Sequence, residues 1–387
     1  MNVALLLSCS SFEGFFTGIQ GQTRASYLSS YRGDWCWYYG KGLVDNGIKP
    51  ILYIPSVHEE GLYETDAGIS VRFLPLQKWY RLLEPVWVKK LSRTNRYTLY
   101  LDERLNTLAF MSALRAGMAE DGIDLLYIQE YWSGRFDHLV NRLALPITAA
   151  DHGGVSDRVL KWFKRPAFAK APLVYCQTLD ECDIVRRFGG DPVFQPNGCD
   201  LREFHPDPNT HRTKTILTVA RLTNRQKRTS DLIDALALLP ADWSLDIVGT
   251  GPDLGMLQSR AQDAGVSDRV RFHGFVDRQT VRTMLQRCGV FAMPSSNEAV
   301  AIAALEAMGS GASVVLSQIR SFETMIENGV NGQLVPVGDT RALAKAIETG
   351  WIDRATFGTK ATQTVKERFD TQRLYKSLAH SLRTLAA

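Results

Sequence analysis

The segment Thr215-Ile216-Leu217-Thr218-Val219-Ala220-Arg221-Leu222 is a short apolar run closed by a cation. An amphipathic stretch, 230–239, follows it, and then a second apolar run, 244–248. That is the strand–helix–strand order of a parallel sheet whose strands are covered on both faces. Downstream, 253–264 reads as a helix, and 270–272, 290–293 and 313–316 read as further buried strands. Upstream the same alternation gives strands at 2–8, 50–55, 125–129, 146–150 and 173–176. It pauses near 197–214, where Pro196, Pro206 and Pro208 lie among polar residues and mark a linker. The pattern predicts an α/β fold of two Rossmann-like, doubly wound domains facing across a cleft. Ligands are then expected at the C-terminal ends of the strands.

Composition narrows the function classes. The chain has 387 residues, 45% of them apolar and 22% charged, which suits two ordinary globular domains and excludes disorder. Net charge is +4; residues 1–200 carry 22 basic and 22 acidic side chains, so the excess lies after residue 200. That is too little to point to nucleic acid. The longest uncharged run, 307–319, has 13 residues. A membrane-spanning helix needs about 18–20. The apolar start, 3–7, is too short for a signal core and reads as a first buried strand. Six cysteines form no CxxC pair and no His/Cys cluster, which suggests reduced thiols, a cytoplasmic protein and no metal site.

Four motifs carry chemistry. Glu298 and Glu306 flank seven helix-favouring residues just after the strand 290–293. On one helix, Glu298 would sit at the mouth and Glu306 about two turns deeper. Free amides at such a mouth suit a diphosphate, and carboxylates accept sugar and ribose hydroxyls. Read alone, the spacing fits an ordinary surface helix as well. Arg221 ends a strand and Lys227 follows six residues later. Two cations there could neutralise a leaving diphosphate without a metal, or could be solvated loop charges. Gly249-Thr250-Gly251-Pro252 is a glycine turn after a strand, structural or ligand-facing. Pro196-Asn197-Gly198-Cys199-Asp200 is a turn closing the first domain.

As a set, Arg221 with Lys227, Gly249–Pro252, Glu298-x7-Glu306-Ala307-Met308, 196–204 and Asn328-Gly329-Val330-Asn331-Gly332 resemble the retaining GT-B glycosyltransferases of family 4. The resemblance runs from about residue 122 to 345. It implies a first, acceptor-binding domain (1–205, with the tail 365–387 packing back on it) and a second domain (206–364) that binds a nucleotide-sugar donor. Carried over by position, Arg221 and Lys227 hold the diphosphate, Glu298 meets the transferred sugar and Glu306 the ribose. The backbone of Ala299, Val300, Ala301 and Ile302 contacts phosphate or sugar. Gly249, Phe275 and Val276 join the donor pocket, the last two lining the base. His152, at the end of the strand 146–150, sits beside the reacting sugar carbon. Gly33 is the favoured glycine of an N-terminal loop, ahead of Gly18 and Gly21, because a helical stretch, 35–45, follows it.

The resemblance therefore implies a hexosyltransferase that acts on a UDP-sugar in preference to a GDP-sugar, with a sugar, lipid-linked or small-molecule hydroxyl acceptor. It implies no cofactor beyond that substrate, no metal and no nucleic acid partner. Ala299, Ala301, Ala220 and Arg228 stand where relatives often have glycine. Residues 77–100 mix Trp79, Tyr80, Trp87, Tyr97 and Tyr100 with six cations. They read either as a peripheral contact with the inner face of a membrane or as a solvated helix with its aromatics packed inward. Residues 161–165 form a smaller stretch of that kind. The competing functions are a GT-B epimerase or phosphorylase, and a non-catalytic sugar-nucleotide-binding subunit.

Overall fold

A computed structural model describes residues 1–31, 35–87, 96–151, 164–171 and 173–387. Each of the ten strands read from the sequence forms, in two sheets. The first contains β1 (Asn2–Leu6), β2 (Lys49–Ser56), β3 (Gly61–Tyr63), β4 (Ser70–Pro75), β5 (Leu125–Gln129), β6 (Ile147–Ala150), β7 (Leu173–Cys176) and β8 (Asp191–Phe194). Their order is β3-β4-β2-β1-β5-β6-β7-β8, parallel throughout except for β3 against β4. The second contains β9 (Thr213–Val219), β10 (Ser244–Val248), β11 (Val270–Gly274), β12 (Cys288–Met293), β13 (Ser313–Ser317) and β14 (Gln333–Val335). Its order is β11-β10-β9-β12-β13-β14, parallel throughout. Strands such as Cys288–Met293 and Ser313–Ser317 are buried along their whole length, as helices on both faces require.

The chain divides into two compact units, Met1–Gln195 with Leu374–Ala387, and Pro196–Arg373. These boundaries differ from the expected 205/206 and 364/365. The linker 196–204 is tied into the second unit. Cys199 exchanges backbone hydrogen bonds with Phe369 (2.8 Å) and Thr371 (3.1 Å), and Phe204 is buried in that unit's core. The expected tail, 365–387, begins inside one helix and continues into a second. Arg354–Arg368 packs Ala361 and Val365 into the second unit, and Thr371–Ala386 buries Leu378, Ala379 and Leu382 in the first unit's core. Only the part from Leu374 onward therefore belongs with the first unit.

The aromatic, basic stretch divides between its two readings. Tyr80 is buried, its hydroxyl on Asp102 at 3.1 Å, and the Tyr100 hydroxyl bonds Asp137 at 2.6 Å. Trp79, Leu82, Leu83 and Tyr97 are exposed, Leu82 at 79%. Trp87, Lys89, Lys90, Arg93 and Arg96 have side chains outside the described set, as do Lys161, Trp162 and Phe163. Lys164 is no surface cation: it is fully buried and paired with Asp137 at 3.0 Å. Among the described residues, no helix is long and apolar enough to cross a membrane.

Candidate active site in the second unit

The site is built where three strand ends of the second sheet meet. β9 ends at Val219, and the chain turns through Arg221 into the short helix Asn224–Lys227. The loop after β10 lies against this turn. Thr250 accepts from the Leu222 amide at 2.9 Å, and the Asp253 carboxylate accepts from the Asn224 amide at 2.6 Å. Gly249 has φ of 130°, and a Cβ there would stand 2.0 Å from the Ala220 carbonyl oxygen. Its own amide donates to Gly274 at 2.8 Å. Gly249 therefore shapes the site through close backbone approach, with no amide left for a ligand.

The loop after β12 completes the site. Ser296 donates its amide to the Gln226 carbonyl at 2.8 Å, and the Gln226 side chain donates back to Asn297 at 3.1 Å. This stitching brings Glu298 onto Lys227, with Nζ to Oε1 at 2.5 Å. The pair is largely buried, with side chains 17% and 9% exposed. A cavity of about 890 Å³ beside it is lined by Arg221, Thr223, Gln226, Lys227, Asp253 and Ser296. The Arg221 guanidinium is exposed and has no hydrogen-bond or ion-pair partner among the described residues.

One expected feature is different. Glu298 is not at the mouth of a helix that also carries Glu306. The helix is Ile302–Gly309, and 298–301 is an irregular lead-in to it. Alanine-rich propensity favours helix here, but the tether to Gln226 and Lys227 overrides it. The lead-in leaves the backbone N–H groups of Ala299, Val300, Ala301, Ile302 and Ala303 with no acceptor among the described residues. No side chain caps this helix start. Three cations, Arg221, Arg225 and Lys227, line the cavity, and the five amides follow in the chain from its Asn297 wall, an arrangement that suits an anion.

Glu306 is buried, and its Oε1 accepts from Arg278 at 2.9 Å. Arg278 also pairs with Glu203 at 2.7 Å and lies 4.6 Å above the Phe204 ring. Burial pushes the Glu306 carboxyl up to about 7, against the pull of Arg278. Sequence reasoning missed Arg278 and Glu203; the only available signal was a second acid inside the turn motif 196–204. Phe275 is 87% exposed after β11, and Val276 is half-buried against the core. Arg228 has φ of 50° and is held by Asp231 at 2.8 Å. Its left-handed backbone explains why glycine is common there in the resembling family. His152 and Gly33 lie outside the described residues.

Residues 202–363 match the family described as glycosyl transferases group 1. Residues 202–363 thus resemble a group 1 glycosyl transferase domain. The matched segment lies within the second unit and holds Arg221, Lys227, Gly249, Phe275, Val276, Glu298 and Glu306. Phosphatidyl-myo-inositol mannosyltransferase of Mycobacterium leprae is 33% identical over 43% of this chain and 47% of its own. The Mycolicibacterium smegmatis protein of that name is 29% identical over 59% of this chain and 62% of its own. The chain thus spans about half the length of the curated relatives it matches. Two solved structures resemble the whole chain. Sucrose-phosphate synthase from Thermosynechococcus elongatus has a TM-score of 0.75 at 19% identity, covering 100% of this chain and 99% of its own. Anabaena HepE in complex with UDP has 0.71 at 19%, covering 99% and 100%. The fold is that of the GT-B glycosyltransferases.

Proposed function

We propose that the protein is a retaining hexosyltransferase that moves a sugar from a nucleoside diphosphate to a hydroxyl acceptor, in glycan, glycolipid or glycoconjugate biosynthesis. One observation carries the reading: Arg221, Arg225 and Lys227 line a single cavity, with Lys227 paired to Glu298 and Arg221 without a partner among the described residues. A diphosphate arriving there takes Lys227 and Arg221 as counter-ions and the amides as donors. Glu298, released from Lys227, turns to the hydroxyls of the sugar. Charge then develops on the leaving diphosphate, where the two cations stabilise it most. Glu306, with one oxygen on Arg278, keeps the other for the ribose. Phe275 and Val276 border the base. No metal is needed, because cations and amides already oppose the diphosphate charge.

The donor we favour is a UDP-sugar, in line with the solved complex of HepE with UDP. The acceptor is a sugar, a lipid-linked sugar or a small molecule. We extend the reading to peripheral contact with the inner face of a membrane through exposed Leu82 and Leu83 beside Lys78. Incubation with UDP-glucose, UDP-galactose, UDP-N-acetylglucosamine and GDP-mannose, without acceptor and with EDTA, tests the core of the proposal. Slow release of UDP from one donor is expected. Release of GDP alone would reassign the donor, and donor binding without release would make the chain a binding subunit.

A further inference from the structure

Two carboxylates in the second unit share one guanidinium. Arg278 Nη1 stands 2.9 Å from Glu306 Oε1, and Arg278 Nε stands 2.7 and 2.8 Å from the two oxygens of Glu203. The three residues come from the segment 196–204, the helix Arg278–Arg287 after β11, and the helix Ile302–Gly309 after β12. Both helices follow strands of the second sheet, at the edge where open parallel sheets bind ligands.

The helix that carries Arg278 gives no reason for a cation there. Asp277 caps it, accepting from the Thr280 amide at 2.9 Å, so Arg278 is its first residue. A cation in the first turn opposes the helix dipole, which favours acids at that end. Its partners compensate: the two carboxylates, and the Phe204 ring 4.6 Å from Cζ.

The two carboxylates are not equivalent. The Glu306 side chain is 8% exposed and that of Glu203 is 34% exposed. Water screens the outer pair, whereas the inner carboxylate depends on Arg278 for its charge. Ile302–Gly309 carries no other charged residue, and β12 and β13 carry none. The helix Arg354–Arg368 buries Phe357, Ala361 and Val365. The Cys199 thiol lies near Glu306, with Asp200 and Asp370 around it, and its burial keeps it protonated. Arg278 thus favours charge on Glu306, against burial and Glu203. The second oxygen, Oε2, accepts from none of the described residues.

We propose that Arg278 is a positioning residue for the ribose contact: it holds the Glu306 carboxylate charged with Oε2 left for a ribose hydroxyl, and Glu203 weakens that hold by sharing the guanidinium. That Glu306 meets a ribose rests on the donor reading above. A charged carboxylate accepts from hydroxyls more strongly than a protonated one. The two partners of Glu306 therefore act in opposite directions. A bridge that merely fastened the segment 196–204 to the helices would be broken by losing either Arg278 or Glu203, with the same sign.

Calorimetry of UDP and of 2′,3′-dideoxyuridine diphosphate, at pH 6.0 and 7.5, tests this on the wild type, Arg278→Gln, Arg278→Lys and Glu203→Gln. The two ligands carry the same base and diphosphate, so the ratio of their Kd values isolates the ribose hydroxyls. At pH 7.5 Arg278→Gln should cut the preference for UDP by about tenfold, the effect of removing an opposite charge beside a carboxylate. Arg278→Lys should restore part of it. At pH 6.0 Glu203→Gln should raise the preference by about threefold, because a like charge has been removed. Equal losses of both ligands in Arg278→Gln, an unchanged preference, or a preference lowered by Glu203→Gln would overturn the proposal. A wild type that binds the two ligands equally would overturn it and leave the diphosphate reading standing. A wild type that binds neither this pair nor the corresponding guanosine pair would overturn the donor reading as well.

Discussion

The strand ends of the two units handle charge in opposite ways. In the second unit, Arg221, Arg225 and Lys227 line an open cavity, and the left-handed Arg228 is held by Asp231. In the first unit, Glu130 and Glu103 are half-buried, and the left-handed Glu130 has no ion pair among the described residues. Burial pushes both carboxyls up to about 7. An edge of cations and amides suits an anion. The first unit's carboxyls offer no such positive edge. The contrast fits the proposed group transfer, with the diphosphate placed at the second sheet.

The largest effect that would break this contrast lies in the second unit. Lys227→Ala should lower turnover by about 10²–10³-fold, the usual result of removing one donor aimed at developing charge. Near wild-type turnover in steady-state kinetics, with circular dichroism unchanged, would remove Lys227 from the site.

The next effect separates the two glutamates. Glu306→Gln should weaken UDP by about 1–3 kcal/mol, the cost of losing a charged hydrogen bond to the ribose. Glu298→Gln should leave UDP affinity nearly unchanged and lower turnover, because it orients the sugar. Calorimetry on both variants reads the difference, and equal losses of UDP affinity would erase it.

The smallest effect is on stability against pH. Glu103, Glu130 and Glu306 each have a folded pKa raised from 4.5 to about 7. Between these values the folded state binds more protons than the unfolded state. The stability that each contributes is present below pH 4.5 and is lost as pH rises through about 7. Tm should therefore fall from pH 5 to 7.5. The fall should shrink in Glu306→Gln, and shrink further when Glu103→Gln and Glu130→Gln are combined, since the first unit holds two of the three groups. An unchanged slope in the combined variant would mean that these carboxyls are not buried as described.

Much of this was legible in the sequence, and the failures have physical causes. Ten strands were readable because continuous apolar runs mark strands buried on both faces. β4 was hidden by Arg72, whose charge is absorbed by Asp121 at 2.7 and 2.5 Å. β8 was hidden by Pro192, which an edge strand tolerates. β3 is largely exposed and carries no apolar run. At the site, charged residues on strand-end loops were readable one by one, and Lys227 and Glu298 are brought together as a pair. The start of the helix at Ile302 was not readable, because a tether to Gln226 decides it. Arg278 was missed because nothing local links it to Glu306. The left-handed turn at Glu130 was missed because a glutamate gives no turn signal. The available hint was two polar residues, Gln129 and Glu130, directly after the run 125–128 and just ahead of the capping Ser133.

The central claim, that the second unit recognises a diphosphate through Arg221 and Lys227, is tested most directly by calorimetry of UDP and of uridine on the wild type and on Arg221→Ala with Lys227→Ala combined. Uridine lacks the diphosphate and keeps the base and ribose. The double variant should bind UDP at least about tenfold more weakly, a loss of about 1.4 kcal/mol or more, and bind uridine as the wild type does. Unchanged UDP affinity, or equal loss for both ligands, would contradict the assignment.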